Sequence, residues 1–176
     1  FRAGGALFTA LIISFIWGPF LIKKLKSFQK SGQPIRKDGP KSHLISKAGT
    51  PTMGGTLILA SLIISVLIWG NLSNVIVWLV LFITISFGMI GAIDDFQKLK
   101  NNSSDGSNGK LRLLLEFTIA ITFLYFLNYF SPEEIKNFIS IPFTKGLVVN
   151  LELFYIPFGA FVIVGAANSV NLTDGL

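Results

Sequence analysis

The sequence predicts an all-α, polytopic membrane protein, and three observations carry that expectation. Of its 176 residues, 51% are hydrophobic and the mean hydropathy is +0.65. Only 14% are charged, against about 25% in an ordinary soluble domain. The apolar residues also run in long unbroken blocks and do not alternate with a helical or strand period. A soluble globular domain, a disordered chain and a coiled coil are excluded together.

A spanning helix needs about 20 mostly apolar residues. Four segments meet that length and composition, at about residues 3–22, 53–69, 75–93 and 111–130. A fifth, about 153–167, is shorter and carries Pro157, so it reads as a broken or tilted helix, or as one completed by Asn168 and the residues after it. The total is about five spans. The first is not a secretory signal by preference, because its positive charge comes after the apolar run instead of preceding it. The chain starts with Phe1 and stops inside a polar run at Asp174-Gly175-Leu176. It is therefore expected to be a fragment, with its spans a lower bound.

Charge placement sets the orientation. The net charge is +6, from 15 basic and 9 acidic residues. Twelve of the 15 basic residues fall in two loops, about 23–52 and 94–112, while the turn Gly70–Asn74 has no charge. Positive loops stay inside, so these two loops are expected to be cytoplasmic and Ser131–Glu152 external. The fifth span then returns Asn168–Leu176 to the cytoplasmic face. In the outer loop, Ser131, Pro132 and Glu134 read as a capping box opening a short surface helix. Basic charge divided between membrane loops, without an amphipathic reading face, argues against nucleic acid as a partner. With no Cys and one His, His43, there is no disulfide framework and no Cys- or His-rich metal site.

Three polar clusters converge on that inner face. The first, Gly32–Gly55, mixes Pro34, Pro40 and Pro51 with five glycines and several basic residues. Its exposed backbone N–H groups, Lys and Thr side chains suit phosphate; the plain alternative is a basic loop resting on lipid head groups. The second is Asp94-Asp95, where the apolar span 75–93 ends. Two adjacent carboxylates there are costly unless a cation or partner compensates them. Mg2+ is held in this way, by one or two carboxylates plus substrate phosphates. Lys98 lies four residues after Asp94 and three after Asp95, facing both on a continuing helix; the alternative is a solvated helix end. The third is Asn168, Asn171 and Asp174, spaced by three on one helical stripe, with donors and acceptors for a base edge, a ribose or a cation. The convergence points to an Mg2+-assisted reaction on a phosphorylated substrate at the lipid–water boundary.

These residues resemble a known family. GQPIRKDGPKSH (Gly32–His43), GTPTMGG (Gly49–Gly55), GAIDDFQK (Gly91–Lys98) and NSVNLTDGL (Asn168–Leu176) are similar, in order and spacing, to phospho-N-acetylmuramoyl-pentapeptide transferases, within the polyprenyl-phosphate hexosamine-1-phosphate transferase superfamily. The resemblance implies a complete fold of about ten membrane helices, each of spanning length, in the bacterial cytoplasmic membrane, with the active site facing the cytoplasm. It implies a phosphoglycosyl transferase that uses UDP-MurNAc-pentapeptide, undecaprenyl phosphate and Mg2+. The products would be UMP and the first lipid intermediate of peptidoglycan.

By motif, Asp94 and Asp95 are the implied catalytic and metal-binding pair, shared with a further Asp beyond residue 176. Lys47 and Thr52 match polar positions of the substrate cleft, and Asn171, Asp174, Gly175 and Leu176 the motif near the nucleotide. Lys98 and Asn168 complete the expected substrate-binding set. A homodimer is a further expected assembly. The chain departs from the family at Gly106-Ser107, where Gly-Leu is usual, and at Arg112, where Lys is common. Half of the implied site lies beyond residue 176, so this chain alone is expected to be inactive. Two rival functions stay open: a transferase using another UDP-hexosamine such as UDP-GlcNAc, and an ion-coupled transporter with Asp94 and Asp95 as its ion site.

Overall fold

The computed structural model describes residues 1–29, 51–101, 106–141, 143–144 and 146–175, side chains from 172 onward excepted. Five α-helices lie among the described residues: α1 (Arg2–Phe28), α2 (Gly55–Trp69), α3 (Val75–Asn101), α4 (Gly109–Phe130) and α5 (Tyr155–Gly175). Four helical segments are long and apolar enough to cross a bilayer: α1, α3, α4, and α5 with the turn that precedes it. Most of their large apolar side chains point outward, as with Phe15 at 73% and Ile16 at 67% exposure. A soluble protein would not leave such continuous apolar surface in water, so this is a multi-pass membrane protein.

α1 and α2 pack through small and hydroxyl residues, as helices do in lipid, where close backbone approach replaces the hydrophobic drive. A Cβ on Gly5 would meet the Trp69 indole at 2.7 Å, and Trp69 Nε1 donates to Thr9 Oγ1 at 2.9 Å. Ser61 and Ser65 are buried and return their hydroxyls to the carbonyls of Leu57 and Ser61. α2 has 15 residues, about 22 Å at 1.5 Å per residue. That is shorter than the expected second span, because Met53 and Gly54 belong to the turn before the helix. Asn74 caps α3 by accepting from the Ile76 N–H at 2.9 Å.

The core lies between α4 and α5, where Ala120, Phe123 and Leu124 pack on Ala160 and Val164. Gly159 leaves the space that the Leu124 side chain fills. α5 runs unbroken for 21 residues, through Asn168 and on to Gly175, so of the readings open for the fifth span it is the helix completed by Asn168 and the residues after it, and not a broken one. Pro157 sits in its first turn, where the backbone N–H has no intrahelical partner to lose.

Between α4 and α5 the chain forms a short antiparallel hairpin, β1 (Phe138–Ser140) with β2 (Val148–Asn150), pairing Ile139 with Val149. The expected capping box at Ser131 is also corrected. Ser131 Oγ donates backward to the Leu127 carbonyl at 2.6 Å and closes α4, and only a 3-10 turn, Glu133–Ile135, comes after it.

Candidate functional site

The last turns of α3 carry the chemistry. From Val75 to Asp94 the helix advances 19 residues, about 29 Å, which is the thickness of a hydrocarbon core. The acidic pair therefore falls at the far boundary of the span, where charged side chains can be tolerated.

The two carboxylates have different surroundings. Asp94 is 5% exposed. Its Oδ2 pairs with Lys98 Nζ at 2.6 Å, and its Oδ1 accepts from both the backbone N–H and the hydroxyl of Ser107, each at 2.8 Å. The Asp95 side chain keeps 31% of its surface. Its Oδ2 accepts from Thr52 Oγ1 at 2.7 Å and from the Met53 N–H at 3.3 Å, while Lys98 Nζ stands 3.9 Å from Oδ1. The spacing of Lys98 from both acids, read on the helix, is met.

Thr52 is held from the other side. Its N–H donates to Gln29 Oε1 at 2.8 Å, and its carbonyl accepts from Gln29 Nε2 at 3.2 Å. Met53, next in the chain, has φ of 69°, a left-handed conformation that costs a residue with a Cβ about 1–2 kcal/mol. Strain of this kind persists only where neighbours enforce it; here the Gln29 and Asp95 bonds do so. Gln29 at the end of α1, Thr52 before α2, the end of α3 and Ser107 before α4 thus form one polar network.

A second network ties α4 to α5. Glu116, 5% exposed, accepts from Asn168 Nδ2. Arg112 Nη2 donates to Asn168 Oδ1 at 2.7 Å, and Arg112 Nε lies 3.4 Å from Glu116 Oε1. Asn168 Nδ2 also donates to the Val164 carbonyl at 2.9 Å. The Asn168 amide is thus committed to holding two helices together. Beside the acidic pair runs an open groove of about 480 Å³, lined by Met53, Met89, Ala92, Ile93 and Phe96, with Gln97 and Lys100 at its polar margin.

Of the residues expected from the sequence, Thr52, Asp94, Asp95 and Lys98 are brought together. Asn168 belongs to the α4–α5 network, and Asn171 is exposed on α5. Lys47 and Leu176 lie outside the described residues, as do the Asp174 side chain and the surroundings of Gly175. Sequence reasoning missed Gln29, Ser107 and Glu116. Glu116 had a signal, because a lone acid inside an apolar span, four residues after Arg112, calls for a partner. Gln29 and Ser107 had none, since their partners lie across loops. Among the described residues no three His, Cys, Asp or Glu side chains gather as a metal site.

The fold and the site together define a mainly helical membrane protein with a carboxylate pair and a lysine at its lipid–water boundary. The model of glycosyl transferase family 4 matches residues 77–176, more than half of the chain, and the chain belongs to that family. Within it, signature 1 of phospho-N-acetylmuramoyl-pentapeptide-transferase matches residues 47–59, which contain Thr52 and Met53. The chain is 52% identical over its whole length to the phospho-N-acetylmuramoyl-pentapeptide-transferase of Ruegeria sp. (strain TM1040). It is 52% identical, again over its whole length, to the one of Dinoroseobacter shibae. It spans about half the length of these relatives, 49% of each.

Proposed function

We propose that the chain serves a transferase that moves phospho-MurNAc-pentapeptide from UDP to undecaprenyl phosphate at the cytoplasmic face of the bacterial inner membrane. The observation that carries this reading is the polar network around Asp94, Asp95, Lys98 and Thr52 at the end of α3. It stands beside an apolar groove with a basic margin, a shape suited to a polyprenyl chain with its phosphate toward Lys100. The position at the span boundary argues against the transporter reading, since transporter ion sites lie near the bilayer midplane at broken helices, and α3 is continuous here.

In the reaction an oxygen of the lipid phosphate attacks the sugar-bearing phosphorus of the UDP-sugar. The bond to the bridging oxygen breaks, and UMP leaves with the electron pair. The protein's share is positioning and charge neutralisation. Asp95, the more exposed of the two acids, is the group that orients or deprotonates the attacking phosphate. Lys98 supplies positive charge beside it. Mg2+, which takes one or two carboxylates and completes its shell with substrate oxygens and water, would be held through Asp95 Oδ1, the oxygen outside the Thr52 and Met53 bonds. When bound there, Mg2+ supplies charge neutralisation for the diphosphate.

The test is product analysis with the complete protein in liposomes containing undecaprenyl phosphate and Mg2+. UDP-MurNAc-pentapeptide is expected to yield UMP and a lipid-linked sugar, and UDP-GlcNAc neither. UMP from UDP-GlcNAc alone, or from neither sugar, overturns the proposal.

A further inference from the structure

The segment from Phe138 to Asn150 carries no acidic residue, although Glu133, Glu134 and Glu152 flank it. A two-stranded hairpin is marginal by itself in water, and a sheet face turned to water usually carries polar residues. This hairpin is apolar on both faces. Phe138 and Val148 lie exposed on one face of the ladder, and Ile139 and Val149 lie half-buried on the other. Beyond the ladder, Phe143 is fully exposed and Leu147 half-exposed.

Backbone bonds fix the tip. The Ile141 N–H donates to the Leu147 carbonyl at 3.1 Å, and the Ile141 carbonyl accepts from the Thr144 hydroxyl at 2.7 Å. Within this turn Phe143 has φ of 67°, a conformation more usual for glycine or asparagine. The base is tied to the last turn of α4. Asn128 Nδ2 donates to Asn137 Oδ1 at 3.0 Å, and Asn128 Oδ1 accepts from the Asn137 N–H at 3.2 Å. α4 starts beside Ser107, which bonds Asp94, and runs for 22 residues, about 33 Å. The hairpin base therefore sits at the membrane boundary opposite the acidic pair. Each strand has three residues, about 10 Å in length, so the tip stays within reach of that boundary.

We propose that this hairpin is seated in the bilayer, with Phe143 and Leu147 entering the zone between lipid headgroups and acyl chains. Lipid is the occupant because the tip continues a surface that already faces lipid. Tyr129 and Phe130 end α4 and Phe154 precedes α5, all three exposed, at the level where aromatic side chains gather in a membrane. Removing the apolar tip from water supplies the free energy, and no acid within the segment opposes entry. Seated there, the hairpin holds the adjoining ends of α4 and α5 at one membrane face. The proposal is independent of the transferase reading.

The experiment is a depth measurement by electron paramagnetic resonance on the complete protein in nanodiscs of phosphatidylethanolamine and phosphatidylglycerol. This chain has no Cys of its own, and any in the rest of the protein are replaced. A nitroxide is attached in separate samples to Phe143→Cys, Leu147→Cys and, as the control in water, Glu134→Cys. Its collisions with oxygen, which enters lipid, and with a nickel chelate, which does not, are compared. Labels at 143 and 147 are expected about 5–10 Å below the lipid phosphates, the depth of interfacial apolar side chains. The label at 134 is expected in water. The two tip positions give separate readings, so one disturbed turn does not decide the result. If nickel reaches 143 and 147 as readily as 134, the hairpin stands in water and the proposal is wrong. If both reagents are excluded from 143 and 147, protein covers the tip, from another segment or a second copy, and the proposal is equally wrong. Neither reading needs turnover.

Discussion

Removing Glu116 should show how strongly the buried α4–α5 tie holds the helices. Glu116→Leu deletes the carboxylate that accepts from Asn168 and balances Arg112. The Arg112 side chain, 22% exposed, then keeps one strong bond, from Nη2 to Asn168 Oδ1. Breaking a buried pair by deleting one partner costs about 3–5 kcal/mol, and the partial exposure of Arg112 places this case at the low end. Glu116→Gln keeps an acceptor for Asn168 and should cost about 1–2 kcal/mol. The double change Arg112→Met with Glu116→Leu removes both charges together and should recover most of the loss. The assay is thermal unfolding of the purified complete protein in detergent. At about 2–4 °C per kcal/mol, Glu116→Leu should lower Tm by about 6–12 °C, and the double variant by much less. A Glu116→Leu protein as stable as wild type, or a double variant whose loss equals the sum of the singles, would refute the argument.

Reporter fusions at Lys41 and Asn102 should give cytoplasmic signals, and a fusion at Asn137 an external one, in keeping with the placement of 12 of the 15 basic residues. An external signal at either of the first two sites separates the basic loops from the acidic pair and removes the proposed geometry. In the complete enzyme, Lys47→Ala should raise the KM for the nucleotide sugar more than it lowers kcat. Unchanged kinetics at normal protein levels would return that loop to a role at lipid head groups.

The membrane architecture was legible because lipid as a solvent enforces a simple rule: long apolar runs must be helices that satisfy their own backbone. The same rule does not govern the segment between α4 and α5. Its strands are three residues each, too short for alternation to register. They are anchored by Asn137, which has a left-handed backbone, accepts from Asn128 Nδ2 at its Oδ1 and donates its backbone N–H to Asn128 Oδ1. Pro157 left the fifth span open between a broken helix and one completed by Asn168, since its effect depends on whether it falls in the first turn or beyond it. In the site, what lies within one helix was readable: Lys98 at three and four residues from the acids is a consequence of helical periodicity. What joins separate elements was not. Thr52 meets Asp95 across 43 positions and Asn168 meets Glu116 across 52, and no local pattern encodes either pairing. The unequal burial of Asp94 and Asp95 comes from Gly106-Ser107, which the sequence shows only as part of a polar loop.

The most direct measurement of the central claim, that the network at the end of α3 performs phosphoryl transfer, is UMP release by the purified complete protein carrying Asp95→Asn, measured across Mg2+ concentrations. The substitution keeps size and an acceptor for Thr52 and removes the charge. Turnover is expected to fall by about 100-fold, or roughly 2.7 kcal/mol of barrier, with the protein folded and in the membrane. Turnover close to wild type with an unchanged Mg2+ dependence would contradict the claim and leave Asp95 as a structural partner of Thr52 and Met53.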